Sequence, residues 1–173
     1  VYGNIIHGAC RGVLLGGGRD NEIENNIFLE CKIGVHIDHQ GIGRASNYFD
    51  GRTNTLHENM EKVNATGPIY TAKYPALKTL LEDEPALAKY NVVRRNIFVD
   101  CGQAIQLRDE LTIDTPYLTI EDNFAGGEPG FVDREAFDLR FVVDAPAFSI
   151  GFEPIAQDRI GPRAVPGALE KEV

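Results

Sequence analysis

Apolar and polar positions alternate along this chain in a phrase that occurs three times. Asn4-Ile5-Ile6-His7-Gly8-Ala9-Cys10-Arg11-Gly12-Val13-Leu14-Leu15 returns as Asn26-Ile27-Phe28-Leu29-Glu30-Cys31-Lys32-Ile33-Gly34-Val35-His36-Ile37. It returns again as Asn96-Ile97-Phe98-Val99-Asp100-Cys101-Gly102-Gln103-Ala104-Ile105-Gln106-Leu107. In each copy the small residue Gly12, Gly34 or Ala104 follows the Asn by eight positions and opens a second alternating run. Residues 21–26 and 91–96 form a matching prelude, and residues 118–124 look like a weaker fourth opening. Such recurrence marks a solenoid, in which each unit covers its apolar face by stacking on a neighbour.

The first two copies begin 22 residues apart and the last two 70 apart, which is one turn plus about 48 extra residues. A leucine-rich repeat would add a Leu-x-Leu ladder with helical segments, and the sequence has none. The expected fold is all-β, a right-handed parallel β-helix with a helical insertion between coils and a C-terminal cap. The handedness comes from the general preference of parallel crossovers. The expected divisions are coils over 1–38, a long insertion with two short helices over 39–90, and coils over 91–124. Strands and cap follow over 125–163, with a tail over 164–173.

Within 39–90, Thr55-Leu56-His57-Glu58 has the form of a capping box opening a helix through Val63. Pro75 begins a second run with helical apolar spacing that Pro85 closes. A segment of this length is seldom mere connection, and it is expected to wall a groove on one flank of the solenoid. Asn64-Ala65-Thr66 fits the glycosylation acceptor pattern. Gly16-Gly17-Gly18 lacks the Lys-Ser/Thr of a phosphate loop and reads as a place where the chain turns. Near the end, alternation over 137–141 and the prolines and aromatics of 145–155 predict a cap over the last open coil.

Cys10, Cys31 and Cys101 occupy one phase of the repeat, and their odd number argues against a full set of disulfides. Stacked small apolar residues lining the coil are expected, with a metal site or reactive thiol as the alternative. Asn26 and Asn96 read as turn residues, because Asn tolerates the left-handed bend and can bond its own backbone.

Composition then narrows the function. The 173 residues are 43% hydrophobic, enough for a core, and the net charge of -9 argues against a nucleic-acid partner. No apolar run is long enough to cross a bilayer, so no membrane partner is expected. The chain lacks an initiator Met and a signal peptide and opens inside a repeat, which predicts a mature or excised portion of a longer protein. An N-terminal coil left open would self-associate, end to end or side by side.

Several phrases carry a resemblance. They are Asn-Asn-Ile-Phe, Gly34-Val35-His36-Ile37-Asp38, Phe49-Asp50-Gly51-Arg52-Thr53-Asn54 and Lys73-Tyr74-Pro75-Ala76-Leu77. Pro129-Gly130-Phe131-Val132-Asp133 and Gly151-Phe152-Glu153-Pro154-Ile155 are the most specific. Nearly the whole chain resembles the C-terminal part of bacterial right-handed parallel β-helix repeat proteins, related in fold to pectate lyases and β-helix glycoside hydrolases. The resemblance implies a secreted or periplasmic setting and a polysaccharide or oligosaccharide partner, without a catalytic set to carry over.

Strand alternation points Val13, Leu15, Val35, Ile37, Ile105 and Leu107 inward together. Leu14, His36 and Gln106 then share one outward column, and Gly16, Asp38 and Arg108 the next, on rungs about 4.8 Å apart. His39 and Asp109 lie at the edge of this patch. Hydrolysis of a glycoside needs two carboxylates, about 5–5.5 Å apart for retention or 6.5–9.5 Å for inversion. Asp38 with Asp109, or with Asp50, could supply them. Elimination from a uronic acid needs a base, Arg108 or His36, and a cation on the sugar carboxylate, with Asp38 as a calcium ligand. No other cofactor or metal is expected.

Substrate-binding candidates are His39, Gln106, Arg19, Asp20, Tyr48 and Tyr70, with Tyr74 as a further platform. The plain alternatives are a surface ion pair between Asp38 and Arg108 and a half-exposed strand position for His36. The leading expectation is a fragment of a glycoside hydrolase. A polysaccharide lyase, a non-catalytic glycan-binding solenoid and a structural module follow.

Overall fold

The computed structural model of the chain describes residues 1–108 and 110–161. The first repeat folds as β1 (Ile5–His7), β2 (Arg11–Gly16) and β3 (Glu22–Glu24), and the second as β4 (Ile27–Leu29), β5 (Ile33–Asp38) and β6 (Asn91–Arg94). The third gives β7 (Ile97–Val99), β8 (Gln103–Leu107) and β9 (Leu118–Glu121), and β10 (Phe124–Ala125) starts a fourth. The strands assemble into three parallel sheets, β1-β4-β7-β10, β2-β5-β8 and β3-β6-β9, which the chain visits in rotation. The architecture is mostly parallel sheets stacked rung on rung, compatible with a solenoid. The repeated phrases lie directly over one another, with Ile5 beside Ile27 beside Ile97, and Val13 beside Val35 beside Ile105.

The repeated Asn works differently from the expected turn residue. The left-handed backbone belongs to the residue before it, Gly3 (φ 68°), Asn25 (58°), Arg95 (52°) and Asp122 (49°). The Asn instead spans the bend. Nδ2 of Asn4, Asn26 and Asn96 donates to Oδ1 of the Asn one rung on, at 2.9–3.0 Å, ending at Asn123. The same Nδ2 atoms also donate to the carbonyl two residues back, Tyr2, Glu24 and Arg94. A non-glycine residue in the left-handed region costs about 1–2 kcal/mol, and this ladder, buried at Asn26 and Asn96, offsets it at each bend.

Inside, Phe28 and Phe98 stack with ring centroids 4.9 Å apart and planes within 8°. Cys31 is buried, Cys101 half-buried and Cys10, on the end rung, exposed, all as free thiols. Cys31 and Cys101 keep equivalent places one rung apart, each Sγ donating to a carbonyl of the preceding rung, Ile6 and Phe28. Burial, the largest influence, pushes the Cys101 thiol pKa up.

The C-terminal segment covers one outer face of the coils. It forms an antiparallel pair, β11 (Phe131–Asp133) and β12 (Asp138–Phe141). Leu139, Ala147 and Phe152 pack on Ile27, Leu29, Ile97 and Val99, on the outside of β4 and β7. Asn25 and Glu153 exchange two hydrogen bonds across this contact, at 2.9 and 2.7 Å. The physical reason is that β4 and β7 are apolar on both faces and need a cover along their length. The part of the expected cap and tail over 162–173 lies outside the described residues.

Between β5 and β6 the chain leaves the sheets over residues 39–90. There it forms α1 (Thr55–Lys62), α2 (Pro68–Thr71) and three short 3-10 turns. The expected capping box does not form. Thr55 is itself the first helical residue, and its N-cap, Asn54, makes no side-chain cap bond. The helix expected from Pro75 is two 3-10 turns, Pro75–Lys78 and Leu80–Glu82. The returning end of the segment is fastened to the turn between β2 and β3 and to itself. Arg19 reaches Asp83 and donates to its carbonyl at 2.8 Å, and Lys89 meets Asp83 at 2.6 Å and Glu84 at 2.8 Å.

Candidate functional site

The outer side of β2-β5-β8 carries a cavity of about 330 Å³. Its lining includes His36 and Asp38 from β5, Arg11 from the start of β2, and Arg108 just past β8. Gln40 and Arg44, from the turn that follows β5, contribute from the other side. Strand register places these groups. His36 stands between Leu14 and Gln106, and Asp38 beside Gly16, as alternation from the inward Val35 and Ile37 requires.

His36 is not the half-exposed position that one reading expected. It is 1% exposed, despite facing away from the core. Its Nε2 lies 3.8 Å from Asp38 Oδ2, and that oxygen accepts a hydrogen bond from Gln40 Nε2 at 3.2 Å. Gln40 Oε1 in turn accepts from an Arg44 guanidinium at 3.0 Å. The Asp38 side chain is only 13% exposed, and its Oδ1 makes no hydrogen bond among the described residues. The alternative of an Asp38–Arg108 ion pair is not formed, since Arg108 meets no carboxylate among the described residues. Asp109 lies outside the described residues.

Other candidates fall elsewhere. His39 lines the same cavity but is 1% exposed. Its Nδ1 accepts the Ala88 N–H at 2.9 Å, and its Nε2 lies 3.4 Å from the Tyr117 hydroxyl. An Nδ1 that accepts carries no proton, so the ring joins the departure and return of segment 39–90 through Nδ1 and points its N–H toward Tyr117. Gln106 is half-buried on the next rung and outside the cavity lining. Arg19 is committed to Asp83 and lies over the Tyr90 ring at 5.2 Å. Asp20 is an exposed turn residue with φ 54°.

Tyr48, Tyr70 and Tyr74 are exposed on segment 39–90, and none of them lines the cavity. Asp50 does not line it either. Arg52, 2.6 Å away, holds its carboxyl below the usual range. Sequence reasoning missed Arg11, Gln40 and Arg44. Arg11 had a signal, because its register partner Ile33 belongs to the strand of His36. The other two sit in a turn with no periodicity to place them.

His36-Ile37-Asp38-His39 has the composition of a metal motif. Among the described residues, however, no group of three or more His, Cys, Asp or Glu comes together to hold an ion. No helix among them is long and apolar enough to cross a membrane. In comparisons with known proteins, the chain matches no family model, no curated protein and no solved structure.

Proposed function

We propose that the chain is part of a secreted or periplasmic right-handed parallel β-helix protein that degrades a polysaccharide, with segment 39–90 inserted between coils beside the site. The observation that carries this reading is the cavity on β2-β5-β8, where a carboxylate largely withdrawn from solvent stands beside an imidazole. Few polar groups converging in one concave site are what ligand binding requires. The resemblance to β-helix repeat proteins supplies the carbohydrate.

The first reaction to test is glycoside hydrolysis. Asp38 is one carboxylate and Asp109 the second, one giving a proton to the leaving oxygen while the other attacks the sugar or activates water. A second reaction is favoured by the three guanidinium groups facing a single described carboxylate. In elimination, a base takes the C5 proton of a uronic acid, the electron pair forms the C4–C5 double bond, and the O4 substituent leaves with a proton. Calcium does not fit the described lining, since it takes about 6–8 oxygen ligands and here meets one carboxylate among arginines.

Polysaccharides, acidic and neutral, incubated with the protein test both reactions. New reducing ends without ultraviolet absorbance report hydrolysis, and new ends with absorbance of an unsaturated product report elimination. Asp38→Asn is expected to lower the rate by about 10²-fold or more, and His36→Ala to lower it as well. Activity indifferent to both substitutions places the chemistry elsewhere. Neither activity nor glycan affinity on any polysaccharide would leave a structural module.

A further inference from the structure

We infer that Arg11, Arg44 and Arg108 form an anion subsite that takes the carboxylate or sulfate of an acidic sugar. The inference rests on the reading of this cavity as the glycan site and names its substrate class. Elsewhere most of the described arginines are spoken for, the exposed Arg159 excepted. Arg19, Arg52, Arg94, Arg95, Arg134 and Arg140 each meet an Asp or Glu. Arg11, Arg44 and Arg108 meet none among the described residues, and all three line one cavity. They come from the start of β2, the turn after β5 and the end of β8, so stacking of rungs brings them together rather than a local basic run.

The surroundings make the arrangement selective. The whole chain carries a net charge of -9, a field that repels anions, and a local cluster of guanidinium groups is needed to reverse it. Among the described lining residues Asp38 is the one carboxylate, and it is held by Gln40, which also receives Arg44. The relay Arg44 to Gln40 to Asp38 thus keeps cation and carboxylate in one cavity without joining them. Planar guanidinium groups match the geometry of a carboxylate or sulfate through paired N–H donors. The volume of about 330 Å³ suits one sugar unit with its charged group, at the lower end of ligand sites, which run to about 1,000 Å³.

Calorimetric titration tests this with a uronic-acid trisaccharide, a sulfated one, a neutral one of equal length, and inorganic sulfate. The same ligands are titrated into Arg11→Gln, Arg44→Gln and Arg108→Gln. Arg159→Gln is the control, an exposed arginine outside the cavity. An acidic trisaccharide is expected to bind at least tenfold tighter than the neutral one at low salt. Each cavity substitution should remove about tenfold of that, and added salt should narrow the difference. The uronate and sulfated arms identify which anion is preferred.

Equal binding of neutral and acidic sugars, indifferent to the three substitutions, overturns the anion subsite while leaving the glycan site standing. Inorganic sulfate bound without any sugar overturns both the substrate class and the glycan reading. The same loss in Arg159→Gln would mean bulk charge rather than this cavity, and would also overturn the inference.

Discussion

Replacing Gly34 by alanine tests the stacking on which the site depends. A Cβ there would meet Phe98 Cδ1 and Cε1 at 2.5 Å and the Ala104 carbonyl oxygen at 2.6 Å. Carbon atoms at rest lie about 3.5–4.0 Å apart, so the added methyl overlaps two neighbours by about 1 Å. Neither can yield easily. Phe98 is 2% exposed and stacked on Phe28, and the Ala104 oxygen belongs to the backbone of the next rung. Overpacking a full core costs about 1–3 kcal/mol, and a double clash with ring and backbone places Gly34→Ala near the top of that range. With a urea slope of about 1–3 kcal/mol per molar, the unfolding midpoint followed by circular dichroism should fall by about 1 M or more. Phe98→Leu in the same chain should recover only part, because the carbonyl stays. The third copy carries Ala104 without penalty because the next rung sets Ala125, not a ring, beside Phe98. A midpoint within about 0.2 M of the parent, under 1 kcal/mol at that slope, would refute the stacking argument.

Two further outcomes follow from the ladder and the fastened segment. Asn96→Ala removes the acceptor of the Asn26 N–H and side chain and the donor to Ile23, Arg94 and Asn123, so it should cost about 3 kcal/mol. Asn4→Ala, with links on one side only, should cost about 1 kcal/mol or less, and equal costs in urea unfolding would break the ladder argument. Asp83 is held below its ordinary value of 3.8, first by the Lys89 hydrogen bond, so its contribution is present above that value and fades as pH falls through the lower folded one. Lys89, raised to about 12 chiefly by Asp83, contributes fully below 10.5 and loses its part as pH rises through about 12. Thermal melts of the parent and Asp83→Asn should therefore converge in acid and separate at neutral pH. A constant difference down to acid would remove Asp83 from the fastening.

The rungs were legible because their signal is periodic. Asn, two apolar residues and a small residue eight places on recur in register, and the columns Leu14–His36–Gln106 and Gly16–Asp38 follow from alternation alone. The covering of β4 and β7 was less legible, although Ile27, Leu29, Ile97 and Val99 already lacked a polar face. Their cover, Leu139, Ala147 and Phe152, comes from a distant part of the chain that shares no period with the rungs. The cavity was half visible. His36 and Asp38 lie on a strand whose pattern aims them, whereas Gln40 and Arg44 lie in a turn where no period operates. His39 is held by the Ala88 N–H where segment 39–90 returns to the sheets, a contact that no local pattern encodes.

The three outer faces can be compared by what already occupies them. That of β1-β4-β7-β10 is covered by Leu139, Ala147 and Phe152, so it offers no surface to a ligand along β4 and β7. That of β3-β6-β9 carries Glu24 with Arg94 and Arg95, charges that satisfy one another at the protein's own expense. On β2-β5-β8, Asp38 is withdrawn from solvent and the nearby guanidinium groups meet no carboxylate among the described residues. A buried polar group costs stability unless it is paired, whereas exposed guanidinium groups stay solvated and available to an anion. A fold that neutralises its arginines on one face and leaves three exposed beside one cavity on another, without a carboxylate partner among the described residues, keeps that second arrangement open to a ligand of opposite charge.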